Sequence, residues 1–481
     1  MHNEKHYNII IVGTFDCENF GDLLFPITLE QYFKNRSIDV TIYPFSPQEC
    51  NMPFFEEKHV YSINNMENFI KLHDVDAIII GGGDLIRLDS QIGKSYLNKT
   101  DANLLWAYPI IIGNMLEIPI IFNCPGVPFE FNRHNKKIVK CLMSHIAYLS
   151  VRDEYSKQYL LDCGVYNSIS VSIDTIVGIE ELYPISYVDS VLIKLKKQIT
   201  LPESEYIVVQ INNSIFSEKD LFSLKEFIEH LANETEYELV FMPIGYEHDD
   251  DIALERLKKI CNCSIHLLDS KNQKLSPEQM IAIIKNAAFF IGTSLHGAVV
   301  SYVYNVKFME IMSGFSTKIY GFCKYICATN CVINISDNLW ERFLNINQQE
   351  MPGLPKTNVL VDFNNHLNCM LNAIYSKSKR PSGTIITELL ELCSDHNLEI
   401  KKPKIYLDFG NGYDEEHTKY GNEITQEGIF HLRSDIEDGC IKIRLDPVET
   451  SCVVLLSYAV SDKGSLTITD MNGIGMETAY I

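Results

Sequence analysis

Short runs of consecutive apolar residues, each closed by Gly, Asn or Asp and followed by a longer amphipathic stretch, recur through most of the chain. Strands covered on both faces need such unbroken runs, and covering helices need apolar residues three or four positions apart. The pattern predicts strands at 7–13, 39–43, 75–80, 118–122, 148–151, 168–173, 206–211, 237–242, 264–268 and 287–291. Helices are expected over 23–34, 103–116, 135–147, 218–233, 252–261 and 298–304, with Ser276 opening another that has Pro277 at its first position. Alternation of this kind predicts an α/β protein with two successive doubly wound, Rossmann-like domains facing a cleft, placed at 1–175 and 176–375. The segment 179–201 is expected to cross between them.

Past residue 376 the pattern changes. Lys377-Ser-Lys-Arg-Pro-Ser-Gly383, a helical 387–396 and Lys401-Lys-Pro-Lys404 read as an exit helix within a linker, 376–403. Short β runs at 404–413, 439–447, 452–460 and 465–469, separated by Gly, Asp and Asn turns, then predict a small all-β, sandwich-like domain over 404–481. Tyr406, Tyr413 and Phe430 there could stack on sugar, with core packing as the alternative.

Composition narrows the class. At 481 residues the chain exceeds one core, and 46% hydrophobic with 22% charged residues suits a globular protein. A formal charge of −22 without any basic arm argues against nucleic acid as a partner and against a polybasic membrane anchor. No segment reads as a signal peptide or approaches the roughly 18 to 20 apolar residues of a spanning helix. Fourteen scattered cysteines without a CxxC pair suit reduced thiols, hence a cytoplasmic location. Cys323, Cys327 and Cys331 would share a face if helical; small core residues are the favoured reading over metal ligands.

Candidate chemistry gathers at strand ends. Gly292-Thr-Ser-Leu-His-Gly297 follows an apolar strand and places His296 between glycines, with Thr293 and Ser294 as natural helix caps that aim free N–H groups outward. Gly81-Gly-Gly83 offers room for a phosphate or simply a tight turn. Arg152, at the end of another strand, can hold phosphate or carboxylate, or pair with Asp153, Glu154 or a neighbouring acid. The acids in His248-Asp-Asp-Asp251 are assigned to capping the next helix and not to a metal.

Asn19-Phe-Gly-Asp22, Gly81-Gly-Gly83, Ser150-Val-Arg-Asp153 and Thr293-Ser-Leu-His-Gly297, in this order, resemble the signposts of the polysaccharide pyruvyl transferase family over roughly residues 7–345. The resemblance implies a two-domain fold like that of the GT-B glycosyltransferases. It also implies transfer of the enolpyruvyl part of phosphoenolpyruvate onto a sugar as a ketal, in bacterial cell-surface polysaccharide biosynthesis. Arg152 and His296 would contact phosphoenolpyruvate, and Lys318 matches a basic residue of the same pocket. Asn19, Gly21, Gly82, Gly83, Ser294 and Gly297 fall within the matched motifs and are taken as substrate-binding. Many members carry Arg two residues before the His, where this chain has Ser294, which leaves the pocket one cation short. The terminal Asp-x-Gly-x-Gly-Tyr and Arg-Leu-Asp-Pro phrases are similar to a module appended to some bacterial glycosyltransferases.

The chemistry runs independently of that resemblance. A donor with a phosphate and a carboxylate needs cations and N–H donors. Ketal formation needs a proton for the enol carbon, which His296 can deliver, and an acceptor for a hydroxyl proton, for which Asp22 is the candidate. No step requires a metal or other cofactor. The saccharide acceptor could be lipid- or nucleotide-linked, with peripheral association at membrane-bound glycan assembly as a possible setting. A nucleotide-sugar glycosyltransferase of the same build and a non-catalytic glycan-binding protein are the competing readings.

Overall fold

The computed structural model describes residues 5–88, 105–212, 217–268, 274–350 and 353–376, with Ile385, Glu388, Leu389 and three C-terminal strands. The chain divides into two compact units, Met1–Arg380 with Asn472–Ile474, and the remaining C-terminal residues.

The first sheet starts from β1 (Tyr7–Val12), whose Ile9 to Val12 are almost wholly buried, as a strand flanked on both sides must be. It is followed by α1 (Phe20–Asn35), β2 (Val40–Ser46), the antiparallel pair β3 (Cys50–Met52) and β4 (Phe55–Ser62), α2 (Met66–Leu72) and β5 (Ala77–Ile80). Then come α3 (Ala107–Met115), β6 (Ile120–Phe122), α4 (Arg133–Met143), β7 (Leu149–Val151), α5 (Glu154–Asp162) and β8 (Ile169–Val171). Sheet order is β3-β4-β2-β1-β5-β6, with β7 and β8 paired beside it. Parallel register Ile9↔Ala77 and Ile10↔Tyr43 puts β1 at the centre.

A 3-10 helix, Thr175–Glu181, and α6 (Ile185–Leu195) make the crossing expected at 179–201. The second sheet uses β9 (Tyr206–Val209), α7 (Glu218–Glu234), β10 (Glu238–Phe241), α8 (Asp250–Ile260), β11 (His266–Leu267), α9 (Pro277–Lys285), β12 (Phe289–Gly292), α10 (Leu295–Val303), β13 (Lys307–Met312), α11 (Thr317–Tyr325) and β14 (Val332–Asn334). Its order β11-β10-β9-β12-β13-β14 is parallel throughout. Ser276 caps α9 in a box with Gln279, as the Ser-Pro-Glu-Gln phrase predicts. These are two Rossmann-like sheets in sequence, the predicted α/β class.

Two helices close the unit, α12 (Leu339–Gln348) and α13 (Lys356–Ser376). The latter packs on first-half residues: Phe363 meets Tyr32 edge-on at 4.9 Å, and Tyr375 lies 5.5 Å from Tyr7. In the C-terminal unit β15 (Lys404–Asp408), β16 (Thr418–Tyr420) and β17 (Lys442–Asp446) form an antiparallel sheet, with Ile405 opposite Leu445. The runs at 452–460 and 465–469, Tyr413, Phe430, the side chain of Tyr406 and most of the helix at 387–396 lie outside the described residues.

One expectation is corrected in detail. Cys323, Cys327 and Cys331 do not share a helical face, because α11 ends at Tyr325 and Cys327 adopts φ 59° beyond it. Cys323 and Cys331 are buried beside β13, where burial raises both thiols, Cys331 to about 12.

Candidate functional site

The site forms where the carboxyl ends of the parallel strands of the two sheets meet. After β1 the loop leads into α1, which Asn19 caps by accepting from the Gly21 N–H at 3.3 Å. From the other sheet, the segment after β10 reaches it. Phe20 N–H donates to Ile244 O at 3.3 Å, Tyr246 N–H donates to Glu18 O at 3.2 Å, and Lys274 pairs with Glu18. The bridge between Asn19 and Gly245 thus joins both halves by main chain.

His296 lies in the first turn of α10, 9% exposed, behind the Ser294 cap that accepts from Gly297 N–H at 3.3 Å. Its ring fills the space over Gly21 so completely that a Cβ there would fall 1.7 Å from Nδ1. Phe25 meets the ring edge-on at 5.9 Å. Nε2 is 3.5 Å from Asp174 Oδ2 and has no hydrogen-bond partner, so the contact is an ion-pair distance and not a formed hydrogen bond. Asp174 caps the 3-10 helix by accepting from Ile176 N–H at 2.9 Å. Burial pushes the Asp174 carboxyl up, yet His296, the Ile176 amide and Arg152 together bring it below its usual value, so it is ionised at neutral pH.

Asp22 sits one residue past Gly21 and accepts from Thr14 Oγ1 at 2.8 Å. Burial raises this carboxyl, while His296, Thr14, His248 and Lys318 oppose the rise. Those charges place Asp22, His296, His248 and Lys318 in one electrostatic cluster. Lys318 enters from the first turn of α11. His248 stands at the exposed rim, its Nε2 3.5 Å from Asn19 Nδ2, and is lowered by the protein crowding it and by Lys318.

Arg152, 5% exposed, leaves the end of β7 and pairs with Asp84, the residue after the glycine run. Its Nε lies 3.5 Å from Asp153 Oδ2 without a well-formed hydrogen bond. Burial alone would lower the guanidinium, but Asp84, Asp153 and Asp174 raise it. Of the two readings offered for Arg152, the pairing with neighbouring acids is the one seen here, with the residue close enough to Asp174 to act on its charge. Gly126 gives it room, since a Cβ there would fall 2.6 Å from the guanidinium.

The glycines divide by cause. Gly83 holds φ +90°, a left-handed backbone that favours glycine, and faces Asp22 Oδ1. The places that a Cβ would take at Gly82 and Gly297 are filled by the rings of Phe25 and Phe290, which brings each loop close to its covering element.

Three residues near the site were not marked as chemical. Asp174 directly follows the strand expected at 168–173, and His248 precedes the acids assigned to helix capping. In fact the capping residue Asp249 makes no side-chain cap bond, whereas buried Asp250 accepts from the Ile244 and Gly245 amides and from Gln210. Glu310, fully buried on β13 with neither oxygen hydrogen-bonded, is raised well above the carboxylate range by burial, despite Lys318. A single acid inside Phe308-Met-Glu-Ile-Met312 was its only signal.

A model of the polysaccharide pyruvyl transferase family matches residues 19–311, from the Asn19 cap into β13. The chain belongs to the polysaccharide pyruvyl transferase family. No curated protein matches it. Among solved structures, UDP-GlcNAc 2-epimerase from Methanocaldococcus jannaschii is similar at 13% identity and TM-score 0.52, over 76% of this chain and 99% of that one. A glycosyltransferase from Rickettsia africae ESF-5 aligns at 13% identity and TM-score 0.50, over 78% and 100%. At these identities the likeness is one of fold, the two-domain GT-B arrangement, into which this pyruvyl transferase family member places its own His296, Asp174 and Asp22.

Proposed function

We propose that the protein transfers pyruvate from phosphoenolpyruvate to a saccharide as a ketal, in the building of a cell-surface polysaccharide. The observation that carries this reading is the His296–Asp174 pair at the junction of the two sheets, beside Asp22 and Lys318, in a chain of this family. Lys318, the α10 N-terminus capped by Ser294, and the field of Arg152 would hold the donor's phosphate and carboxylate. His296 gives a proton to the terminal enol carbon, leaving an oxocarbenium-like centre at the next carbon. Positive charge developing on the ring when it is protonated is met by ionised Asp174. A first sugar hydroxyl attacks that centre and passes its proton to Asp22, whose carboxyl burial makes a better proton acceptor than an exposed one. Phosphate then departs with the proton that Asp22 had taken, and a second hydroxyl closes the ketal and returns its proton to His296. Two hydroxyls and one phosphoenolpyruvate yield one ketal and one phosphate.

The deciding experiment incubates the full chain with phosphoenolpyruvate or a panel of nucleotide sugars, plus mixed saccharides, and follows which donor is consumed. Saccharide-dependent phosphate release from phosphoenolpyruvate supports the reading, and consumption of a nucleotide sugar instead replaces it. His296→Ala should lower kcat on the order of a hundredfold or more with little change in donor KM. A variant with normal kcat removes His296 from the chemistry.

A further inference from the structure

Beside the charged residues lies a cluster of a different character, in which three aromatic rings from the two halves meet. Phe315, 62% exposed, stands on the turn between β13 and α11, where Gly314 at φ +95° supports a backbone that other residues rarely adopt. Its ring is 5.4 Å from that of Tyr155 and 5.5 Å from that of Tyr320, and the two tyrosines are 6.2 Å apart. Tyr155 belongs to α5 and is three residues past Arg152, whereas Phe315 and Tyr320 bracket Lys318. The two segments are pressed together at Gly321, where a Cβ would fall 2.6 Å from Asp153 Cβ. Lys324 Nζ lies 5.3 Å from the Tyr155 ring centre.

We propose that Phe315, Tyr155 and Tyr320 form a platform on which a sugar ring of the acceptor stacks. This rests on the pyruvyl-transfer reading. A small, highly charged donor has no use for aromatic faces, and the cations on these same two segments suit it. A pyranose has apolar C–H faces and hydroxyls around its edge, which match the exposed Phe315 ring with two tyrosines beside it and the Lys324 ammonium over Tyr155. Three rings cover far less than the roughly 1,200 Å² that a stable protein partner requires. An exposed aromatic with two aromatic neighbours also differs from single exposed aliphatics such as Leu72 or Ile193, which are ordinary on any surface. Because one half gives Tyr155 and the other gives Phe315 and Tyr320, the platform exists only while the halves are together, which would couple sugar binding to an assembled site.

The test uses the full chain with lactose, cellobiose and N,N′-diacetylchitobiose as probes. Saturation-transfer NMR reads sugar contact independently of turnover, and phosphate release from phosphoenolpyruvate reads the reaction. Phe315→Ala should abolish saturation transfer and raise the KM of whichever probe is used about tenfold, leaving donor KM and melting temperature unchanged. Phe315→Trp should restore both readouts, whereas Phe315→Leu should behave like the alanine variant. Unchanged sugar contact and sugar KM in Phe315→Ala overturn the platform, as does a parent protein that contacts none of the three sugars. Sugar contact that Phe315→Ala removes, in a protein that never consumes phosphoenolpyruvate, would sink the pyruvyl-transfer reading and leave the platform standing.

Discussion

Arg152 and Lys318 carry the same charge but stand in different surroundings. Lys318 is partly exposed at the head of α11, so its charge is available to an incoming anion, whereas Arg152 is buried against Asp84, with Asp153 and Asp174 close by. Removing the buried cation leaves acids uncompensated in a poorly solvated place, a loss of about 3 kcal/mol or more in stability. Arg152→Ala should therefore lower the melting temperature as well as raise donor KM, while Lys318→Ala should raise donor KM alone. Thermal unfolding and steady-state kinetics on both variants check this. Equal melting temperatures for the two would contradict the distinction.

The helix α13 is held to the first half by a buried polar network. His366 on α13 sits between Tyr148, whose hydroxyl is 3.0 Å from Nδ1, and Asn123, whose Oδ1 is 3.1 Å from Nε2. Asn123 Nδ2 donates to Thr175 Oγ1, which fixes its carbonyl toward the ring, so Nε2 carries the proton and Nδ1 accepts from Tyr148. Burial lowers His366 to about 3, and it is neutral in the folded protein. The unfolded chain takes up a proton near pH 6.5, and the folded one does not until near pH 3, so the contribution of this residue is complete above 6.5 and lost as pH falls. Each pH unit within that window costs about 1.4 kcal/mol. Melting temperatures recorded from pH 7 to pH 4 should fall, and His366→Asn should flatten part of that slope; an identical slope in the variant would refute the assignment. The continuous apolar strands and capped helices were readable because burial on both faces dictates them residue by residue. The β3–β4 pair was not, since β4 lies near the sheet margin, covered only by short β3, with Glu56, Glu57 and His59 exposed and no apolar run to announce it. Nor was α13, whose apolar face is selected by contacts with Tyr7 and Tyr32, far away in sequence. The site followed the same division: His296, Asp22 and Lys318 lie in or beside local motifs, whereas the partnership of His296 with Asp174 spans the chain and depends on how the sheets meet.

At the level of the whole chain, the contiguous core of Met1–Arg380 contains both Rossmann-like sheets and α13, with every candidate site residue. A chain ending near residue 403 should accordingly fold and bind donor as the full chain does. Circular dichroism and donor titration of that truncation test it, and an insoluble product would show that the tail is needed for folding. Within the core, the main-chain bridge at Asn19 and Gly245 does something side-chain contacts cannot. The amide protons of Phe20 and Tyr246 are held by carbonyls of the opposite half, so deuterium can replace them only when the halves part. They are a clock built into that bridge, and their exchange rates should fall when donor and acceptor are bound together; rates indifferent to ligand would mean that the halves never separate during turnover.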